Sequence, residues 1–186
     1  MTKAAYIGVN GISRKIKKGY VGVNGIARKI KKAYVGVGGV ARPCWGGREL
    51  SYYGTITPLS QARGYLAATT VGGYALFGGG DGPSTFSSVV DAYTSALTRS
   101  TPTRLSQARG YLAATTVGGY ALFGGGDGSR TFSVVDAYTS ALTRSTLTGL
   151  SQARRFLAAT TVGGYALFGG GGGSSTSSVV DAYTLV

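Results

Sequence analysis

The 186 residues carry 19 Lys and Arg against 6 Asp and Glu, with 33 Gly, one Cys and no His. So many glycines with so few charges argue against a helical protein, because Gly inside a helix costs about 1 kcal/mol relative to Ala. The missing His removes the commonest general base and transition-metal ligand, and the single Cys44 excludes an intrachain disulfide or a cysteine metal cluster, so no cofactor or metal is expected.

The net charge of +13 is lopsided: residues 1–48 hold eleven basic side chains and no acidic one, whereas from Glu49 onward eight Arg face six carboxylates. The charge therefore belongs to the N-terminal segment. The opening MTKAAYIGVNG has no apolar stretch of signal-peptide length, and no run reads as a bilayer span. Synthesis in the cytoplasm without a signal peptide is the expectation.

Tyr6, Tyr20 and Tyr34 open three near-copies of one unit, AYIGVNGISRKIKK, GYVGVNGIARKIKK and AYVGVGGVARPCW, with a period of 14. Each places β-branched residues around NG or GG, at Asn10 and Gly11, Asn24 and Gly25, and Gly38 and Gly39. A type I′ turn needs positive φ at both central residues, so these dipeptides predict hairpins. Residues 1–48 then form a short-repeat β-hairpin array whose register is open. Within it Arg14, Lys15, Lys17 and Lys18, then Arg28, Lys29, Lys31 and Lys32, form two RKIKK stretches. These are candidate polyanion-binding residues, suited to phosphates on DNA, RNA, teichoic acid or lipid headgroups. The other reading is a solvated face whose like charges discourage strands from pairing edge to edge. No base-reading motif accompanies them, which argues against sequence-specific nucleic-acid recognition.

A second repeat fills residues 49–186. LSQARGYLAATTVGGYALFGGGDG begins at Leu59, returns at Leu105, and appears from Leu150 as LSQARRFLAATTVGGYALFGGGGG, giving units 59–104, 105–149 and 150–186. A period in the forties with several short strands per unit is a propeller-blade period. Hydrophobic runs between Gly and Ser turns predict strands at 66–71, 74–77, 89–93 and near 97–101 of the first unit.

The Arg after LSQA, the small-residue run 66–69, Gly72 and Gly73, the strand ending in glycines 78–80, and VVDAY ending at Tyr93 together resemble the kelch motif in order and spacing. The Trp that usually follows this Tyr in kelch units is absent: Leu97 and Leu142 stand nearest, and the sole Trp is Trp45. The resemblance implies an all-β fold, with three kelch-like four-stranded blades of a partial β-propeller behind the hairpin array. The two repeats combined resemble tail-fibre and minor structural proteins of phages of Gram-positive bacteria, which implies a virion-associated protein.

Chemistry is sparse. Asp91, Asp136 and Asp181 sit in every copy of VVDAY, where a turn or strand-edge hydrogen bond accounts for them, and glycosidase chemistry would need two carboxylates facing one bond. The GGGDG at 78–82 lacks the Lys and Ser or Thr of a phosphate loop, and Gly172 replaces its Asp in the third unit. No enzyme activity is expected. Arg63, Arg109 and Arg154, each followed two residues later by Tyr65, Tyr111 or Phe156, are the candidate ligand-binding residues. Each Arg either pairs with an Asp or carbonyl of a neighbouring blade or reaches a ligand, and a ring beside a guanidinium suits a sugar.

Two functions fit. One is a structural, adhesive virion component that binds a host surface glycan. The other is an intracellular kelch-type interaction module with a basic nucleic-acid-binding arm. Closed propellers have about four to eight blades, and three fall short. SYYGTITP, at 51–58, stands where a strand of a preceding unit would lie. A homo-oligomer is therefore expected, either a dimer sharing one ring or a trimer governed by the 14-residue array.

Overall fold

The computed structural model describes the strand segments between Tyr6 and Trp45 and all of residues 50–186. The chain divides into two compact units, Met1–Gly54 and Thr55–Val186. Every regular element among the described residues is a strand, and no helix is long and apolar enough to cross a membrane.

In the first unit three hairpins recur: β1 (Tyr6–Val9) with β2 (Ile12–Lys15), β3 (Tyr20–Val23) with β4 (Ile26–Lys29), and β5 (Ala33–Val37) with β6 (Val40–Trp45). The register left open by the sequence is the same in all three from the Tyr to the turn, with Val9 opposite Ile12, Val23 opposite Ile26 and Val37 opposite Val40, and only the third adds a shift, between Ala33 and Tyr34. Those NG and GG dipeptides lie outside the described residues, as do Lys17, Lys18, Lys31 and Lys32. Arg14 and Lys15 lie on β2, opposite Ile7 and Tyr6, and Arg28 and Lys29 on β4, opposite Val21 and Tyr20.

The second unit is three antiparallel sheets in series. The first contains β7 (Ala67–Val71), β8 (Tyr74–Gly78), β9 (Val90–Tyr93) and β10 (Arg99–Ser100). The second contains β11 (Ala113–Val117), β12 (Tyr120–Gly124), β13 (Val135–Tyr138) and β14 (Arg144–Leu147). The third contains β15 (Ala158–Val162), β16 (Tyr165–Gly169) and β17 (Val180–Tyr183). In each sheet strands consecutive in sequence are neighbours, so the topology is a meander. The expectation of four strands per unit holds for the first two sheets; the third has three strands, and among the described residues none forms a strand on the outer edge of β17.

Local chemistry explains the reversals. Gly72 and Gly73 have φ of +53° and +85°, the pair of left-handed conformations a tight hairpin needs, and the same two glycines recur in the other sheets. Leu97 and Leu142, the residues nearest the missing Trp, also have positive φ, +61° and +60°, where the Leu97 and Leu142 N–H groups donate to Thr94 and Thr139 carbonyls. That turn sets where the fourth strand starts, two residues on, at Arg99 and Arg144.

The core lies between sheets. Ala67, Val71, Leu76, Val90 and Ala92 of the first pack on Leu105, Leu112, Ala121, Phe123 and Tyr138 of the second. One repeat later Ala113, Val117, Leu122, Val135 and Ala137 pack on Leu150, Leu157, Ala166 and Phe168. A Cβ at Gly78 would lie 2.7 Å from the Phe123 ring, and one at Gly124 would lie 2.7 Å from that of Phe168. The glycines ending β8 and β12 thus form the hollows that receive the next sheet's Phe, a role beyond turning the chain.

Candidate functional site

Each LSQAR segment places its Arg just before the first strand of a sheet, and VVDAY places its Asp on the third. Arg63 donates to Asp91 at 2.7 Å and to the Phe77 carbonyl at 3.1 Å. Arg109 donates to Asp136 at 2.9 Å and to the Phe123 carbonyl at 3.1 Å. Arg154 pairs with Asp181 and donates to the carbonyls of Gly170 and Val179. The partner is the Asp of the same repeat and not, as the sequence suggests, one of a neighbouring blade. The antiparallel register explains this, because the Arg reaches across its own sheet to the third strand.

Backbone N–H groups of Ser60, Ser106 and Ser151 donate to the same three carboxylates. In the first two sheets a second arginine, Arg99 or Arg144, approaches the other carboxylate oxygen. Burial alone would raise the Asp136 carboxyl, but the Arg109 charge and the Ser106 hydrogen bonds outweigh it and hold the group below the usual carboxylate range. Asp91 is held low in the same way, its burial offset by Ser60 and Arg63. Burial also lowers Arg109, with Asp136 opposing. The side chains of Arg63 and Arg109 are fully buried, and that of Arg154 is 1% exposed. All three guanidinium groups are committed inside the sheets.

The aromatic residues two positions on turn the other way. Tyr65 and Phe156 are both 62% exposed, with Tyr111 half-buried between them. Their ring centroids are 4.3 Å and 4.6 Å apart, so the three rings form one continuous column across the sheets. The backbone joins in: Tyr111 N–H donates to the Tyr65 carbonyl and Phe156 N–H to the Tyr111 carbonyl, both at 2.9 Å. All three residues have left-handed φ, +52°, +55° and +57°, a conformation that costs bulky residues about 1–3 kcal/mol each.

The guanidinium beside a ring comes from a residue that sequence reasoning missed. Arg155 stands 5.4 Å from the Phe156 ring centroid and pairs with Asp127 at 2.5 Å, linking the third repeat to the second. The signal was present in the sequence: the third unit reads ARR where the others read ARG, and GGGGG where they read GGGDG. Phe86, edge-on to Tyr111 at 6.2 Å, was also missed: it aligns in sequence with Phe132, but its place in the fold is taken by Thr131 and Thr176 in the other units.

The site thus offers exposed ring surface, two phenol hydroxyls and one partly exposed cation on a hydrogen-bonded base. Among the described residues no three His, Cys, Asp or Glu side chains lie close enough to hold a metal ion. The basic residues of β2 and β4 belong to the other compact unit. Neither a protein-family model nor a curated protein sequence matches the chain.

Proposed function

We propose that the protein is a non-enzymatic structural and adhesive component, a phage tail or virion-surface protein whose kelch-like sheets are blades of a partial β-propeller that binds a host surface glycan. The observation that carries this reading is the column Tyr65, Tyr111 and Phe156. Its rings are exposed, lie in contact, and are held in a strained conformation by inter-sheet hydrogen bonds. Pre-organised aromatic surface with a few polar groups is what sugar rings, apolar on one face and hydroxylated at the rim, stack against. The phage assignment is supported by the pairing of a glycine-turn hairpin array with kelch-like units. The non-enzymatic reading is supported by carboxylates that are paired with arginine and, at Asp91 and Asp136, held low, which suits neither a general acid nor a base at neutral pH.

A glycan array probed with the full chain tests it. Binding of cell-surface glycans is expected, weakened about tenfold or more by Tyr65→Ala or Phe156→Ala, since one ring contact is worth about 1–3 kcal/mol. An array with no bound glycan, or binding indifferent to both substitutions, refutes the glycan reading. Turnover of a bound glycan that is abolished by Asp136→Asn refutes the non-enzymatic one.

A further inference from the structure

The two inter-sheet interfaces are copies of each other, and the third sheet presents the same forward face with none of the described residues packed on it as the next sheet is in the other two. Ala158, Val162, Leu167, Val180 and Ala182 occupy the positions of Ala113, Val117, Leu122, Val135 and Ala137. Val180 is 59% exposed and Val162 60%, whereas Val135 is 0% and Val117 7%. A Cβ at Gly169 would meet only Val180, at 3.4 Å, where the matching Gly78 and Gly124 each meet a Phe ring. The backbone repeats this asymmetry. Gly80 N–H donates to the Arg109 carbonyl and Gly126 N–H to the Arg154 carbonyl, while the matching Gly171 N–H has no such partner among the described residues.

The complementary surface is on the first sheet. Leu59, Leu66, Ala75 and Phe77 match the buried Leu105, Leu112, Ala121 and Phe123, yet each is only half-buried. Ahead of them residues 53–56, YGTI, align with Arg144–Leu147 of β14, are exposed, and belong to no sheet. The alignment is anchored in space: Tyr93 Oη donates to the Thr57 carbonyl as Tyr138 Oη does to Thr103 and Tyr183 Oη to Thr148. The first sheet therefore has an unused knob and a spare strand, and the third has an empty hollow and an open edge.

We infer that the forward face of the third sheet is an interaction surface for the first sheet of a second copy of this chain, with residues 53–56 of that copy pairing as a fourth strand on β17. The register of β13 with β14 transfers directly: Val180 opposite Ile56, Asp181 opposite Thr55, Ala182 opposite Gly54 and Tyr183 opposite Tyr53. Phe77 of the second copy fills the hollow at Gly169, and its Arg63 carbonyl accepts from Gly171 N–H. Two copies joined this way in both directions make a closed ring of six sheets with no free face. One copy alone gives three and three copies give nine, both outside the range of about four to eight in which such rings close. This rests on the partial-propeller part of the proposed function and is independent of its glycan part.

Sedimentation velocity and native mass spectrometry of the full chain test the inference. A dimer of twice 18.9 kDa is expected at micromolar concentration. Gly169→Ala adds a methyl group that the single copy accommodates but the incoming Phe77 does not, and weakens dimerisation about 10- to 100-fold. Val180→Glu, exposed in one copy and buried in the pair, abolishes it with an unchanged circular dichroism spectrum. Hydrogen exchange at residues 53–56 is slowed in the dimer and fast in Val180→Glu. A stable monomer overturns the inference, and so does a trimer. An oligomer indifferent to both substitutions overturns it as well and assigns assembly to the hairpin array. A monomeric parent chain that binds glycan would fail this inference alone, and a dimer that binds no glycan would fail the adhesive reading alone.

Discussion

Replacing Asp136 by Ala tests whether the repeated Arg and Asp pairs hold the sheets together. The carboxylate is fully buried and receives five hydrogen bonds, from the Ser106 N–H and hydroxyl, Arg109, Arg144 and Thr146. Without it the buried Arg109 guanidinium keeps only the Phe123 carbonyl, and its Nε already lacks a partner. Breaking a buried pair by removing one member costs about 3–5 kcal/mol, because the remaining charge stays desolvated. Against a typical total of about 5–15 kcal/mol this is a large share, and it lowers Tm by roughly 10–20 °C for a unit of this size. Asp181→Ala is milder, at about 1–2 kcal/mol. Its carboxylate is 16% exposed, and Arg154 retains the carbonyls of Phe168, Gly170 and Val179. Arg109→Met combined with Asp136→Leu recovers most of the loss, since a buried pair exchanged for apolar groups is often neutral. Urea denaturation followed by circular dichroism measures all three. The reasoning fails if Asp136→Ala costs under about 1 kcal/mol, or no more than Asp181→Ala.

Gly78→Ala drives a methyl group into the Phe123 ring and lowers stability by about 1–3 kcal/mol, whereas Gly64→Ala, with open space around its Cβ, changes it by under about 0.5 kcal/mol in the same denaturation assay. Because the carboxyls of Asp91 and Asp136 lie below their unfolded value near 3.9, the stability they contribute is present above that pH and lost as pH falls through the folded values; an acid titration of Tm should be flat from about pH 7 to 5 and drop below 4. Burial, with a smaller push from Asp181, raises the Tyr183 phenol to about 12, so its contribution is complete below about pH 10 and disappears as pH rises towards 12, which absorbance titration of the phenolates follows. Retention on a DNA column should weaken with salt at a log–log slope of about 0.7–0.9 per phosphate contact and fall further when Arg14, Lys15, Arg28 and Lys29 are all changed to Gln; retention unchanged by those substitutions would remove the polyanion reading.

Much of the fold was legible because it repeats. The strands expected at 66–71, 74–77 and 89–93 are β7, β8 and β9 to within one residue at each end, since alternating apolar residues and paired glycines act locally. The pairing of Arg63 with Asp91 was not legible in the same way. The two residues are 28 apart, and only the sheet register decides whether the Asp of one repeat or the next is in reach. The packing role of Gly78 was hidden for a similar reason, because it depends on a ring 45 residues away. Arg155 and Asp127 show that departures from a repeat carry information too. Where Arg replaces Gly, the sequence has room for a cross-repeat contact that the other units do not make.

The strained rings and the buried ion pairs need different explanations, although both recur in every unit. An Arg and Asp pair at the centre of a sheet is wholly or mostly hidden from solvent and linked to backbone carbonyls, so its recurrence follows from folding the same unit three times. Tyr65 and Phe156 are mostly exposed, and an exposed ring returns little burial energy to offset left-handed φ. Gly would adopt that φ freely at all three positions, yet an aromatic residue stands at each. Ring stacking recovers about 0.5–1.5 kcal/mol per pair, less than or comparable to the strain it accompanies. Folding alone therefore gives little reason to keep Tyr, Tyr and Phe there. Replacing Tyr65 by Gly should leave stability within about 1 kcal/mol of the parent while weakening glycan binding as Tyr65→Ala does. A loss of several kcal/mol would show that the column is part of the scaffold and not a surface kept for a ligand.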